Sequence, residues 1–380
     1  MTVGTPGFTG SRLREAREIE GLSILSLAGL IGKTRQAISQ YEIGAVSPQP
    51  DVMRRITHVL NMPPDFFTLP PREPASEPLF FRSLSAATAT ARTRASHLFR
   101  WVRDIANDLN TYVKFPPVNI PDIQVPSDPS SLRDDDIEGI ATSVRRFWGL
   151  RDGPISNLTR LLEHNGVIVT HLDVGSDSLD SFSAWAHIQE LRPIVVINTD
   201  KASAVRMRFD AAHELAHLIL HRHVANVQLG HTPNHKLIEE QAYRFAGAFL
   251  MPDATFSEDI FIPTLGSLQA IKPKWLVSVA AMLHRAETLE LLQTEQARSL
   301  WINYSKQKWR RGEPLDDTLL FEEPHLLRRA FEVLEGAPST EPKYGMPHRL
   351  ARPASKIAVI AGLPADYFDD DSLPTVLRLA

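Results

Sequence analysis

Apolar residues recur at helical spacing over most of this chain, and the first seventy residues show the pattern most compactly. Leu13 and Ala16 belong to a first helix that ends near Gly21, and Ser23 is placed to N-cap a second running to Ile31. Gly32 and Lys33 make a tight turn, Thr34 caps a third helix from Arg35 to Glu42, and Gly44 closes it. Ala28, Ile31, Ala37 and Ile38 have the spacing that packs the second helix on the third, which turns Arg35, Gln36, Ser39 and Gln40 outward. A further helix from Asp51 to Leu60 completes an all-α bundle. Helix, short glycine turn and N-capped helix form the helix-turn-helix arrangement, whose second member enters the major groove of duplex DNA. Arg and Gln there can each read a base edge bidentately, G and A respectively.

The pattern changes further along. Pro63-Pro64 and the proline-rich run from Leu69 to Pro78 read as a stiff linker. A helix running into Trp101 and Leu109 follows, with Arg82, Arg92, Arg94, Arg100 and Arg103 preceding the first acidic residue, Asp104. Those arginines read first as a solvated basic face and second as an aid in holding DNA phosphate. Pro116 to Pro129 is another irregular crossing. Helices are expected over 137–150 and 157–165, and strands at Val167–Thr170, Ser183–Ala186 and Ile194–Ile197. The last of these is an unbroken apolar run, typical of a strand covered on both faces. Asp177 to Phe182 reads as a loop, and Leu229 to His235 as a flexible one. Helices over Ile238–Leu250 and Leu276–Arg285 precede a helical region of no evident chemistry, with helices at 324–334 and within 351–368. The expected divisions are 1–70, 71–134, 135–292 and 293–380.

Composition narrows the setting. The chain has 380 residues, 43% of them hydrophobic, which is ample for several cores. It contains no cysteine, so disulfides and thiolate metal ligands are excluded, as suits the cytoplasm. No segment is apolar enough to span a membrane, and the start lacks a secretory pattern. The formal net charge is −4, and residues 1–70 hold seven Lys/Arg against six Asp/Glu, so DNA binding has a weak electrostatic footprint. One recognition helix spans only a half-site, so specific binding calls for a homodimer.

The most chemically specific string is His213-Glu-Leu-Ala-His217. On a helix, the two histidines lie four residues apart and share a face, where both can reach one metal ion. Glu214, offset by one residue, reaches a water instead and can take its proton, as in zinc hydrolases. A third protein ligand is required. His223 has the spacing of an extended motif, but Leu218-Ile-Leu220 continues the helix and carries His223 away. Glu239, Ala242, Ala246 and Phe249 fall on one stripe of the next helix, which places Glu239 toward the histidines. Glu240 lies about 100° further round, on the solvated side. Asp210, three residues before His213, is a candidate to orient its ring, although an acidic residue at a helix start needs no such role. His221, one turn after His217, reads as a packing or supporting residue. His231 and Tyr243 are both candidates to stabilise an oxyanion.

The segment Arg206 to His221, with Glu239-x-x-Ala-x-x-Phe-Ala and Leu250-Met-Pro, resembles the ImmA/IrrE family of metallopeptidases. The likeness extends to Trp148-Gly-Leu, Gly153-Pro-Ile, Leu162–Val169, Arg192–Asn198 and Lys272-Pro-Lys-Trp275. It implies an α+β zincin-like domain, zinc (Zn2+) held by His213, His217 and Glu239, and Glu214 as general base. It also implies a repressor-type or antitoxin-like protein as substrate. Ala216 stands where a Gly is common in that family. Residues 1–70 resemble the XRE (Cro/cI-type) helix-turn-helix family through Gly21-Leu-Ser, Leu27-Ala28, Gly32, Thr34, Ile38-Ser39, Tyr41-Glu42, Gly44 and Pro48. That likeness implies double-stranded operator DNA as partner, met by Thr34, Arg35, Gln36, Ser39 and Gln40. Ile24 and Lys33 depart from its usual pattern.

Overall fold

The computed structural model describes residues 4–72, 80–81, 88–176, 179, 181–200, 203–224, 232–336 and 345–369. The N-terminal bundle comprises α1 (Gly10–Ile19), α2 (Ile24–Leu30), α3 (Arg35–Glu42) and α4 (Pro50–Leu60). Ser23 and Thr34 cap α2 and α3, accepting from the Ser26 and Ala37 amides as their positions lead one to expect. Gly32 sits between them at φ 63°, a left-handed conformation suited to glycine. Leu13, Leu27, Ala28, Ile31, Ile38 and Ile56 are buried at its centre. Arg17 of α1 pairs with Glu42 at the end of α3, both buried, and fixes how α3 leans on the bundle.

The 24-residue helix α5 (Ala89–Tyr112) leads away from the bundle. After it come α6 (Asp134–Phe147) and α7 (Leu158–His164), and a sheet joins β1 (Phe80–Phe81), which precedes α5, to β2 (Ile168–Leu172), β3 (Ser181–Ile188) and β4 (Glu190–Asn198). Its order is β1-β3-β4-β2, with β2 parallel to β4 and the other pairs antiparallel. The strands are longer than the sequence reading, and Ser181 and Phe182 lie in β3 rather than in a loop. Asp177, Asp180, Arg82, His231 and Asp370-Asp371 lie outside the described residues.

Both faces of the sheet are covered, as the apolar run of β4 predicts. The period-two alternation divides the faces cleanly. Ile168, Phe182, Ala184, Ile194 and Val196 belong to one core, and Val169, Val195 and Ile197 to the other. The second core contains α8 (Ala204–Leu220) and α9 (Thr232–Leu250), followed by α10 (Asp253–Asp259), α11 (Leu265–Trp275), α12 (Val279–Thr288) and α13 (Thr294–Lys306). The first holds α5, the bundle, and the C-terminal helices α14 (Leu326–Glu335), α15 (Met346–Leu350) and α16 (Ala354–Ile360).

The expected stiff linker does not hold the bundle at a distance. The α5 helix is packed against α1 on one side and β3 on the other. The Trp101 indole donates to Glu15 at 3.0 Å, Arg72 bridges Glu15 and Asp104, and Arg352 reaches Asp104 while stacking on Trp101 at 4.6 Å. Of the arginines on α5, Arg103 pairs with Asp104, and the Arg94 guanidinium lies against Gly175. Arg92, Arg94, Arg100 and Arg103 are all partly buried, so the expected solvated basic face is instead packed into the fold.

The C-terminal region caps helices of the sheet domain. Glu322 accepts from the Leu158 and Thr159 amides at the start of α7 and pairs with buried Arg208. Glu313 accepts from Val279 and Ala280 at the start of α12 and pairs with buried Lys272. In return Glu163 of α7 accepts from the His325 and Leu326 amides at the start of α14. These carboxylates satisfy amide groups that a helix start leaves without partners.

Candidate metal centre and nucleic-acid interface

Every residue of α8 except Arg206 is buried, because β3 and β4 lie on one side of it, α9 on another and α7 on a third. Ala212 and Ala216 on α8 and Ala242 and Ala246 on α9 are fully buried, and their small side chains let the two helices approach closely. His213 and His217 project from the same face with ring centroids 4.8 Å apart, and Glu239 of α9 points at both. The structure brings together the three residues that the sequence singled out as candidate ligands. Of the expected flexible loop, residues 232–235 belong to α9, which begins at Thr232, and Leu229 to His231 lie outside the described residues.

The donor set fits a zinc ion. His213 Nε2 lies 3.1 Å from His217 Nε2 and 3.1 Å from a Glu239 oxygen, and His217 Nε2 lies 3.5 Å from the other Glu239 oxygen. A tetrahedral ion with ligands about 2.0–2.1 Å away sets them roughly 3.3 Å apart. Two nitrogens and a carboxylate converging this closely match that requirement. His223 is exposed beyond the end of α8, and Glu240 is exposed and paired with Lys236, so neither joins the cluster.

Glu214 is fully buried, and its carboxylate is turned toward the sheet. Ser181 Oγ donates to one oxygen at 2.5 Å and Ser183 Oγ to the other at 2.6 Å. The sequence analysis missed both serines. Their signal was present: two hydroxyls two residues apart in an otherwise apolar strand share the face toward α8.

Behind His217 stands a second set of side chains. His217 Nδ1 lies 3.0 Å from His221 Nδ1, and His221 Nε2 lies 3.1 Å from Gln241 Oε1. Gln241 Nε2 donates to the carbonyls of Pro129 and Leu132 at 2.7 and 3.3 Å. All three side chains are buried, and burial pushes the His221 pKa down to about 4, so this ring is neutral at ordinary pH. Beside the cluster, Arg206, Phe209, Asp210, Tyr243 and Ser278 line a cavity of about 230 Å³. Tyr243, one turn along α9 from Glu239, packs its ring on Phe209 and His284.

On the bundle, Arg35, Gln36 and Gln40 are exposed, Ser39 is half-buried, and Thr34 uses its hydroxyl to cap α3. Ile38 on the opposite side is fully buried against α2. The helix therefore presents to solvent the side chains expected to read bases.

Two family models match the regions of the chain that contain these residues. Residues 13–67 match the family model described as helix-turn-helix, and residues 162–287 match that of the M78 peptidases, described as the IrrE N-terminal-like domain. A search of curated proteins found no match. The chain thus joins an XRE-type helix-turn-helix domain to an ImmA/IrrE-like peptidase domain. Among the described residues, no helix is long and apolar enough to cross a membrane.

Proposed function

We propose that this chain is a cytoplasmic transcriptional regulator that binds double-stranded operator DNA as a homodimer and carries a zincin-like, zinc-dependent endopeptidase. The substrate is a repressor or antitoxin-like protein, or the chain itself, cleaved in response to a signal. The observation that carries this reading is the convergence of His213, His217 and Glu239 in a domain joined to a helix-turn-helix. His213, His217 and Glu239 would hold the zinc, which when bound supplies Lewis acidity toward a peptide carbonyl and acidifies water.

Glu214 takes the proton of the attacking water and passes it to the leaving amine. Each of its oxygens accepts one serine hydroxyl and keeps a further acceptor site for that proton. The cavity beside Asp210 and Tyr243 receives a substrate side chain. On the bundle, Arg35 and Gln36 meet base edges, with Thr34, Ser39 and Gln40 at the same groove.

The test is a cleavage assay with zinc-loaded protein and candidate helix-turn-helix repressors, including any encoded next to its gene, with products identified by mass spectrometry. Glu214→Gln is expected to keep zinc and fold while losing cleavage, because an amide cannot accept the proton. A wild-type chain that is loaded with zinc yet cuts neither partner nor itself under inducing conditions overturns the enzymatic reading. A second reading would then stand, in which the site only senses a metal, ligand or partner. The full burial of Glu214 with both oxygens engaged is the observation that favours it.

A further inference from the structure

The contacts behind His217 form a chain in which each proton position dictates the next. Gln241 Nε2 faces two backbone carbonyls, those of Pro129 and Leu132. Carbonyls only accept, so the amide orientation of Gln241 is fixed and its Oε1 must face His221. Oε1 also only accepts, so His221 Nε2 carries a hydrogen. His221 is buried, where an imidazolium costs far more than the neutral ring, so its Nδ1 is bare and lies 3.0 Å from His217 Nδ1. Two ring nitrogens at that distance share one hydrogen, and it must reside on His217 Nδ1. The remaining nitrogen of His217, Nε2, is left bare on the side of Glu239 and His213. That is the tautomer a metal ligand needs.

We infer that Gln241, anchored by the carbonyls of Pro129 and Leu132, sets the tautomer and ring orientation of His217 through His221, so that Gln241 and His221 are positioning residues of the metal centre. The inference rests on the reading that His217 ligates a metal, but the tautomer itself is a property of the metal-free chain. It also gives the irregular crossing before α6 a role, since its last turn (residues 129–132) holds the far end of the relay.

Two measurements test it on the full chain. The first is long-range 1H–15N correlation of the imidazoles in zinc-free protein, expected to show the hydrogen on Nε2 of His221 and on Nδ1 of His217. The reverse assignment at either ring overturns the inference. The second is zinc affinity, from competition with a chromophoric chelator, across substitutions at His221. His221→Asn places an acceptor oxygen where Nδ1 was, and is expected to stay within about threefold of wild type. His221→Gln mimics the other nitrogen, and His221→Leu supplies only bulk, so both are expected to weaken zinc binding by roughly 10–100-fold. Gln241→Met is expected to do the same.

A purely packing role predicts the opposite ranking, with Leu and Gln tolerated better than Asn, and that ranking overturns the inference. Circular dichroism of each variant separates lost folding from lost affinity. Wild-type protein that binds no zinc would remove the metal reading, while the tautomer measurement still decides the relay.

Discussion

Replacing Ser181 and Ser183 by alanine, singly and together, probes how Glu214 is held. Glu214 and both serines have no solvent-accessible surface, so no water replaces a deleted hydroxyl without rearrangement. The contacts are short, 2.5 and 2.6 Å, as charge-assisted O–H···O bonds are. A hydrogen bond to a charged group is worth about 1.5–3 kcal/mol, against roughly 0.5–1.5 kcal/mol for a neutral one. Each serine deletion is therefore expected to cost about 2 kcal/mol in the wild-type background. In the Glu214→Gln background the same deletions should cost about 1 kcal/mol, since the amide is neutral and pairs with either hydroxyl. The assay is urea unfolding followed by tryptophan fluorescence, to which Trp185 of β3, donating to Leu218 O on α8, contributes. Equal costs below about 0.5 kcal/mol in both backgrounds would show that the serines merely fill space, and would refute the argument.

Three further outcomes are expected. Glu239→Ala should lose most bound zinc, measured by elemental analysis, because two protein ligands rarely retain the ion; full occupancy would place the third ligand elsewhere. Arg35→Ala and Gln36→Ala should each weaken specific operator binding by about 1–3 kcal/mol at fixed salt, and unchanged binding in the double variant would remove α3 from the base-reading role. Burial pushes the Glu163 carboxyl up to about 7, against the pull of the His325 and Leu326 amides. The stability tied to its protonated form is complete below its unfolded pKa and is lost as pH rises through about 7. Glu163→Gln should flatten that decline, worth at most about 3 kcal/mol between pH 4.5 and 8 in urea titrations.

Much of the bundle and the metal trio was legible because local rules decide them. Caps at Ser23 and Thr34, the glycine turn at Gly32 and the i, i+4 histidines depend on residues a few positions apart. Glu239 was found because its helical stripe is itself local. The serines on Glu214 and the Gln241 relay join residues 20 to 112 positions apart, and no periodicity in one element names its partner in another. The C-terminal carboxylates were invisible for the same reason. Glu313 and Glu322 look like ordinary solvated acids until the helix starts of α12 and α7 are placed beside them.

Proline-rich stretches suggested separable units, yet the core does not respect those breaks. The hydrophobic cluster that starts at Leu13 continues through Phe66, Trp101 and Phe182 to Leu363. Strand β3 explains why this matters for the metal centre. Phe182 and Ala184 point into the core shared with α5 and the bundle, while Ser181 and Ser183, between and beside them, hold Glu214. Alternation along one strand thus assigns successive residues to the DNA-binding side and to the candidate catalytic side. A slip of one residue exchanges the two sets, burying phenylalanine against Glu214 and serine in the apolar core, so the strand cannot relax on one face without disturbing the other. The sheet therefore ties the two units together mechanically, although sequence punctuation separates them.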